Sequence, residues 1–577
     1  MNKRDYIIMG IITIIFAILV FYQIGSFNAP ENPYTIEGDD RDIILDFGDG
    51  AYISQLYIYT GPPERQRFSV SVYDLENEEW ALVREEVEAL SVFTWNCLDL
   101  GLADRYLGLV ALGDRTVIME MVAVDANGFR LLPLNAADYP GLFDEQKLFS
   151  LPGSRTYWGQ MMFDEIYHGR TAYEFIHGLT TYETTHPPLG KALMAWGVRL
   201  FGMNPFGWRF MSALMGILML PLIYAFGKAL FANTLAATAA TIMLAFDCMH
   251  FALSRIATID IYAAFFILLM YYLMLRYIQI ERGRLTTAPT GSGNDYVVGA
   301  TVQRCAKRNA WRPLKIPLSY IPLALCGLAM GFAIATKWTG VYAGLGLGLI
   351  FLWHLVHDRP AKIGRLLAFC VAFFVAAPCL VYFASYRPFV SYAPDESYWQ
   401  AFVNNNKGMF SYHSGLKAEH YYQTPFYDWP TLRMPLLYAT DPVGDLMSSV
   451  SCMGNPAIWW TGIVAVLFCI YRFIVKKDMK AGFLVVAYLA QYLPWCFVER
   501  ITFIYHYFPA SLFMILMLAY ALHLLAEKWR WGKWAAFGYL AVVVAVFAIF
   551  YPVVSGIPSD REYQFALRWL EEWILVL

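Results

Sequence analysis

The chain has 577 residues, 58% of them hydrophobic and 15% charged, with a formal net charge of -3. A mean hydropathy of +0.43 excludes a soluble globular protein of this length, and recurring apolar runs of about 18–23 residues suffice to cross a hydrocarbon core of roughly 30 Å. The slight acidic balance lacks the basic footprint of a nucleic-acid binder, and the nine cysteines contain no CxxC pair and form no dense framework.

The chain opens with Lys3 and Arg4 ahead of an apolar run from Tyr6 to Tyr22. No small-x-small site follows it, so an uncleaved first span is expected over residues 1–29. Residues 30–150 change character. Alternating stretches at Asp42–Phe47, Ile53–Tyr59, Phe68–Tyr73 and Thr116–Val124, separated by Gly and Asp turns, predict an antiparallel β-sandwich. Its opening is similar to the discoidin, or galactose-binding-like, jelly rolls through Leu45-Asp46-Phe47-Gly48, Tyr57-Ile58-Tyr59 and Glu79-Trp80. Such an insert is either a module that binds glycan or acceptor, or a structural cap.

The remainder, 151–577, reads as a multi-pass α-helical membrane domain. Ten further spans are expected near 208–228, 234–253, 258–279, 317–336, 338–356, 366–385, 456–474, 481–498, 507–526 and 535–553. Lys and Arg bias sets orientation. With about eleven spans, the basic loops at 281–316, around Arg359 to Arg365, around Arg472 to Lys480 and around Lys528 to Lys533 all fall on the side of Lys3 and Arg4. The N-terminus is therefore expected in the cytoplasm and the C-terminus outside a plasma membrane. Two long segments face outside, 25–207 and 386–455.

Charge close to a bilayer is costly and marks function. Phe163-Asp164-Glu165 opens a helical stretch, with His186-Pro187-Pro188-Leu189-Gly190-Lys191 about twenty residues on. Successive helical side chains point about 100° apart, so Asp164 and Glu165 do not share a proton. One can face a reaction centre while the other holds a basic group or substrate. Lys191 either snorkels to headgroups or meets a lipid phosphate. Arg209 and Arg255, near outer span ends, suit phosphate oxygens through their fork geometry, with Arg500 and Lys191 next. Asp247 and Asp260 sit where they could pair with Arg255. His413, His420 and His506 lack a zinc spacing, so no metal is expected. Trp429, Trp459 and Trp460 fit an interfacial belt.

These blocks, together with Ser254-Arg255-Ile-Ala-Thr-Ile-Asp260, Ala335-Thr-Lys-Trp-Thr-Gly340, Tyr412-His413, Asp428-Trp429-Pro430, Gly454-Asn-Pro456 and Tyr505-His506-Tyr507, follow one another in an order that resembles the bacterial type of protein O-mannosyltransferase. That is glycosyltransferase family 39, of the GT-C superfamily. The resemblance runs from about Phe163 to the C-terminus; the insert after the first span departs from it. It implies a GT-C fold with a catalytic first-loop segment at 160–207 and an outer loop at 386–455. It implies inverting transfer of mannose from a polyprenyl-phosphate carrier to Ser or Thr hydroxyls of a secreted protein at the outer face. Asp164 and Glu165 would be the catalytic residues, with Asp164 the general base. Arg209, Arg255, Lys191 and Arg500 would bind the donor phosphate, while His186, His413, His420, Asp260 and His506 would bind substrate or support the site. It implies no cofactor: the lipid-linked sugar is a substrate. Two alternatives stay open. One is a GT-C transferase with another lipid-linked sugar, such as aminoarabinose, or with a glycolipid or wall-polymer acceptor. The other is a non-enzymatic transporter or glycan-binding membrane protein.

Overall fold

Eight helices are long and apolar enough to cross a bilayer in a computed structural model that describes every residue except 39–40, 50, 64, 76, 288–316 and 361. Thr234–Ala245 and Cys248–Ser254 are long and apolar enough only as a pair, bent by 59° at the break between them. The apolar helices Tyr320–Thr336 and Met479–Tyr492 are shorter, at 17 and 14 residues. Each of the eleven segments expected from sequence coincides with one of these helices. Most of the basic loop 281–316 lies outside the described residues.

Local chemistry explains the irregular spans. At the bend, Asp247 caps Cys248–Ser254 by accepting from the His250 backbone at 3.3 Å, and it also accepts the Asn455 N–H at 2.9 Å and Trp459 Nε1 at 3.0 Å. These bonds replace the helical bonds that the break gives up. Met479–Tyr492 passes into the 3-10 turn Leu493–Phe497 at Pro494, where proline lacks the N–H that a continuing α-helix requires.

The first span, Lys3–Phe21, presents few buried residues to its neighbours and is pinned by polar ties at both ends. Buried Asp5 accepts from Tyr224 and Thr234 hydroxyls and pairs with Lys228 at 3.1 Å. At the other end the Arg255 guanidinium donates to the carbonyls of Val20, Tyr22 and Gln23, and to that of Ser555 at the end of the last span. One side chain thereby ties the C-terminal ends of the first and last spans together. Asp247 and Asp260 do not pair with it.

The insert is a two-sheet antiparallel sandwich. Its strands are β1 Tyr34–Glu37, β2 Asp42–Asp46, β3 Ile53–Thr60, β4 Gln66–Asp74, β5 Glu79–Ala89, β6 Trp95–Leu102, β7 Tyr106–Ala111, β8 Arg115–Val124 and β9 Arg130–Leu131. One sheet runs β1-β8-β3-β6, with β9 on β8; the other runs β2-β7-β4-β5. All four stretches expected from alternation are strands. Those missed are short, contain Gly, or, as in β5, are exposed along nearly their whole length.

Side chains alternate across a strand, and β3 uses both faces. Leu56 and Ile58 enter the sandwich core, while Tyr57 and Tyr59 join Val117, Met119 and Val122 against the membrane domain. The first sheet is therefore a seat. It also grips the chain just before Asp164: Gln160 Oε1 accepts the Trp95 N–H at 3.0 Å, and the Met161 N–H donates to the Phe93 carbonyl at 3.1 Å. The segment 386–455 holds the helix Tyr398–Gly415 and a hairpin of β10 Leu436–Val443 and β11 Leu446–Cys452. Trp429 and Trp459 are fully buried, so they are packing residues; of the three tryptophans only Trp460 is exposed.

Candidate active site

The two adjacent carboxylates have opposite environments. Phe163 adopts φ +47°, the left-handed region that an aromatic residue rarely enters, and its ring packs on Tyr438 at 4.7 Å. This kink launches the helix Glu165–His177, with Asp164 at its N-cap in αR geometry. Glu165 turns inward and is saturated. It receives Arg209 Nε at 2.7 Å and Nη2 at 2.6 Å, the Ala257 N–H at 2.8 Å and the Met162 N–H at 3.0 Å. Asp164 turns the other way into a cavity of about 470 Å³ and makes no side-chain cap bond. Burial, then the carboxylate of Asp260, pushes its pKa up to about 7; Lys337 opposes the shift and Glu183 adds to it.

The cavity has four walls, built from six chain segments. The helix supplies Asp164 and His168, one turn apart on one face. The His-Pro-Pro approach supplies Glu183, Thr185 and His186. Its shape is held from behind by buried Lys191, which donates to the Glu183 carbonyl at 2.8 Å, to the His186 carbonyl at 3.0 Å and to the Glu183 carboxylate. Burial opposes ionisation of Glu183, yet Lys191 and His186 hold its carboxyl well below the usual range. The third wall joins Asp260, which heads a membrane helix, to Lys337, which follows Tyr320–Thr336; Nζ lies 2.7 Å from Oδ1. The helix Tyr398–Gly415 and the stretch 500–506 form the fourth wall and close the cavity with His413, Arg500, Tyr505 and His506.

Arg500 is the least engaged cation there. It is half-buried, and among the described residues its only bond is from Nη1 to the Ile501 carbonyl at 3.3 Å. Two clefts adjoin the cavity at this guanidinium. One, of about 290 Å³, is walled by Trp338, Tyr342, Trp495 and Phe497. The other, of about 570 Å³, is bordered by Lys417, Glu419 and Tyr427. Imidazoles line the cavity in their neutral form. Burial lowers the pKa of His168 and His186, and takes His413 down to about 4 with help from His186 and Arg500. Among the described residues no three His, Cys, Asp or Glu groups converge as metal ligands.

Asp164, His186, His413, Asp260, His506 and Arg500, all singled out from sequence, meet in this cavity. The others do not line it. Arg209 is fully buried; besides Glu165 it serves the carbonyls of Ile24, Tyr157 and Gln160. Arg255 is committed to the span-end carbonyls described above. Lys191 has three partners behind the wall, Glu165 faces Arg209, and His420 accepts the Tyr422 N–H at 3.2 Å outside the lining. The expectation that Arg209 and Arg255 reach a lipid phosphate is therefore corrected: their donors are spent on carbonyls and a carboxylate. Conversely, the cavity adds Glu183 and His168, together with Lys337 and Tyr505, which lie in the blocks Ala335–Gly340 and Tyr505–Tyr507 but carry no assigned role there. Lys337 carried a readable signal, a lysine between two apolar runs; His168 carried its i+4 spacing from Asp164.

Known proteins share this arrangement of sequence. A family model described as dolichyl-phosphate-mannose-protein mannosyltransferase matches residues 185–288, and one for the C-terminal four-transmembrane region of protein O-mannosyltransferase matches 398–573. A polyprenol-phosphate-mannose–protein mannosyltransferase of Mycolicibacterium smegmatis is 25% identical over 478 residues, covering 73% of this chain and 89% of the relative. The protein of that name from Mycobacterium tuberculosis is 26% identical over 474 residues, covering 73% and 88%. Among solved structures, the Saccharomyces cerevisiae protein O-mannosyltransferase Pmt1-Pmt2 complex bound to the sugar donor aligns over 72% of this chain and 89% of that one, with TM-score 0.59 and 16% identity. That match shows a common fold.

Proposed function

We infer that this chain, which belongs to the protein O-mannosyltransferase family, transfers mannose from a polyprenyl-phosphate carrier to Ser or Thr hydroxyls of a secreted polypeptide at the outer face of the membrane. The observation that carries the reading is the pairing, in one cavity, of Asp164, whose carboxylate has no hydrogen-bond partner among the described residues, with Arg500, the least engaged guanidinium there.

The chemistry follows from those two groups. A hydroxyl is a poor nucleophile at neutral pH and needs a positioned base. Asp164, with a pKa of about 7, is basic enough to take the proton and still ionised for much of the time at that pH. The acceptor oxygen bonds to the anomeric carbon as the bond from that carbon to the phosphate oxygen breaks. The electron pair leaves with polyprenyl phosphate, the hydroxyl proton passes to Asp164, and a single displacement inverts the anomeric centre. The phosphate leaves as a stable anion, so it needs cations rather than a general acid. Arg500 supplies that charge, with Lys337 behind it on Asp260. The aromatic cleft beside Arg500 suits the first prenyl units: Phe497 in its wall is 84% exposed, as expected of a side chain facing lipid. The larger cleft, bordered by Lys417 and Glu419, suits an extended polypeptide.

The test is a membrane assay with radiolabelled polyprenyl-phosphate-mannose and a Ser/Thr-rich peptide, with other sugars alongside. Asp164→Asn should lower turnover by about 10²–10⁴-fold while donor binding persists. A well-folded Asp164→Asn protein that transfers at the wild-type rate would remove Asp164 from the mechanism.

A further inference from the structure

His168 is 4% exposed, lines the cavity beside Asp164, and its imidazole makes no hydrogen bond among the described residues. Its Nδ1 is buried without a partner. Burial holds the ring neutral, so it carries one N–H donor and one lone pair, and the protein satisfies neither. A buried polar group left this way is costly, and such groups call for an explanation. Packing alone does not supply one, since an apolar side chain of similar size would fill the same space without the desolvation cost.

Its neighbours narrow the choice of ligand. The His186 ring lies 5.8 Å away, edge to face, with its Nδ1 turned back to Glu183 at 3.2 Å. Glu183 is itself occupied by Lys191 and the Thr185 N–H. The wall beside the base therefore presents neutral imidazole rather than charge. Arg500, the group suited to phosphate, belongs to a different segment of the cavity lining. A neutral group that can both donate and accept matches a hydroxyl, and the part of the proposed donor rich in hydroxyls and adjacent to the base is the hexose.

We propose that His168, with His186 beside it, recognises hydroxyls of the hexopyranosyl group being transferred, and that this pair sets the sugar specificity of the reaction. The inference rests on the donor reading above. A site built to hydrogen-bond a substrate hydroxyl rejects an analogue lacking it, because the site's polar group is then left unpaired.

The experiment uses the full chain in detergent with polyprenyl-phosphate-mannose, its 2-, 3- and 4-deoxy analogues, and sugar-free polyprenyl phosphate. Wild-type protein should prefer mannose over at least one deoxy donor in kcat/KM. His168→Leu, which fills the space without polar atoms, should reduce that preference by about tenfold, the scale of one hydrogen bond. His168→Gln should retain part of it. Both variants should bind sugar-free polyprenyl phosphate as wild type does, which shows that the cavity is intact even where turnover is lost. An active wild type whose preference is unchanged in His168→Leu overturns the role of His168 alone. Equal weakening toward sugar-free and sugar-bearing lipid overturns it as well, by making the effect structural. A wild type inert with every polyprenyl-phosphate sugar overturns the donor reading and this inference with it.

Discussion

Asp164 and Glu165 are neighbours in sequence with the same functional group, and hydrogen bonding separates them. Four donors saturate Glu165 beside Arg209, whereas among the described residues the Asp164 carboxylate receives none and shares its cavity with that of Asp260. Its raised pKa makes a pH dependence testable. The base must be ionised, so kcat/KM should fall as pH drops through about 7 and level off above it. Asp260→Asn removes the carboxylate that disfavours ionisation and leaves Lys337 without its counter-ion. Both effects favour ionised Asp164, so the limb should move to lower pH. Lys337→Met removes a cation that lowers the pKa and should move the limb upward. Profiles that superimpose across all three proteins would show that the limb reports another group.

At the level of elements, the buried pair Glu165–Arg209 joins the helix Glu165–His177 to the second span. Arg209 reaches the carbonyl of Ile24 beyond the first span, and Glu165 takes the Ala257 N–H just ahead of the helix starting at Asp260. Segments carrying Asp164 and Asp260 thus share one carboxylate as an anchor. Glu165→Gln leaves a guanidinium buried without a counter-charge, a defect that costs roughly 3–5 kcal/mol. The expected result is a marked loss of thermal stability and yield in detergent. The double variant Glu165→Leu/Arg209→Met, which removes both charges, should recover part of that loss. A Glu165→Gln protein of wild-type stability with weakened donor binding would instead assign Glu165 to the substrate.

For the whole molecule, the orientation proposed from basic loops determines which compartment the cavity faces. The helix Tyr398–Gly415, which carries His413, and the turn at Lys477 lie at opposite ends of the spans in that arrangement. In a background lacking Cys305 and, among the described residues, the exposed thiols Cys97, Cys379 and Cys496, a cysteine at Gly415 should react with an impermeant reagent in intact cells. One at Lys477 should react only after permeabilisation. The reverse pattern would move the cavity to the cytoplasmic face. The insert belongs to this scale too: its seat on the membrane domain, and its bonds to Gln160 and Met161, make it part of the support behind Asp164 whatever its outer sheet binds.

Sequence by itself determined the spans, the sandwich and the ordered charged blocks, because each depends on local properties. A run of apolar residues must bury itself in lipid or protein, alternation declares a strand, and a charge beside an apolar run is conspicuous on its own. The positions of Asp164, His186, Asp260 and Arg500 were legible in this way. What each charge does was decided by tertiary structure. Arg209 and Arg255 looked like phosphate ligands because sequence displays a guanidinium and not the carbonyls that consume it. Glu183 and Lys337 were passed over because their partners, Lys191 and Asp260, are brought to them only by folding. A charge is available for chemistry when its hydrogen-bonding capacity is unspent, and that balance is a sum over neighbours distant in the chain.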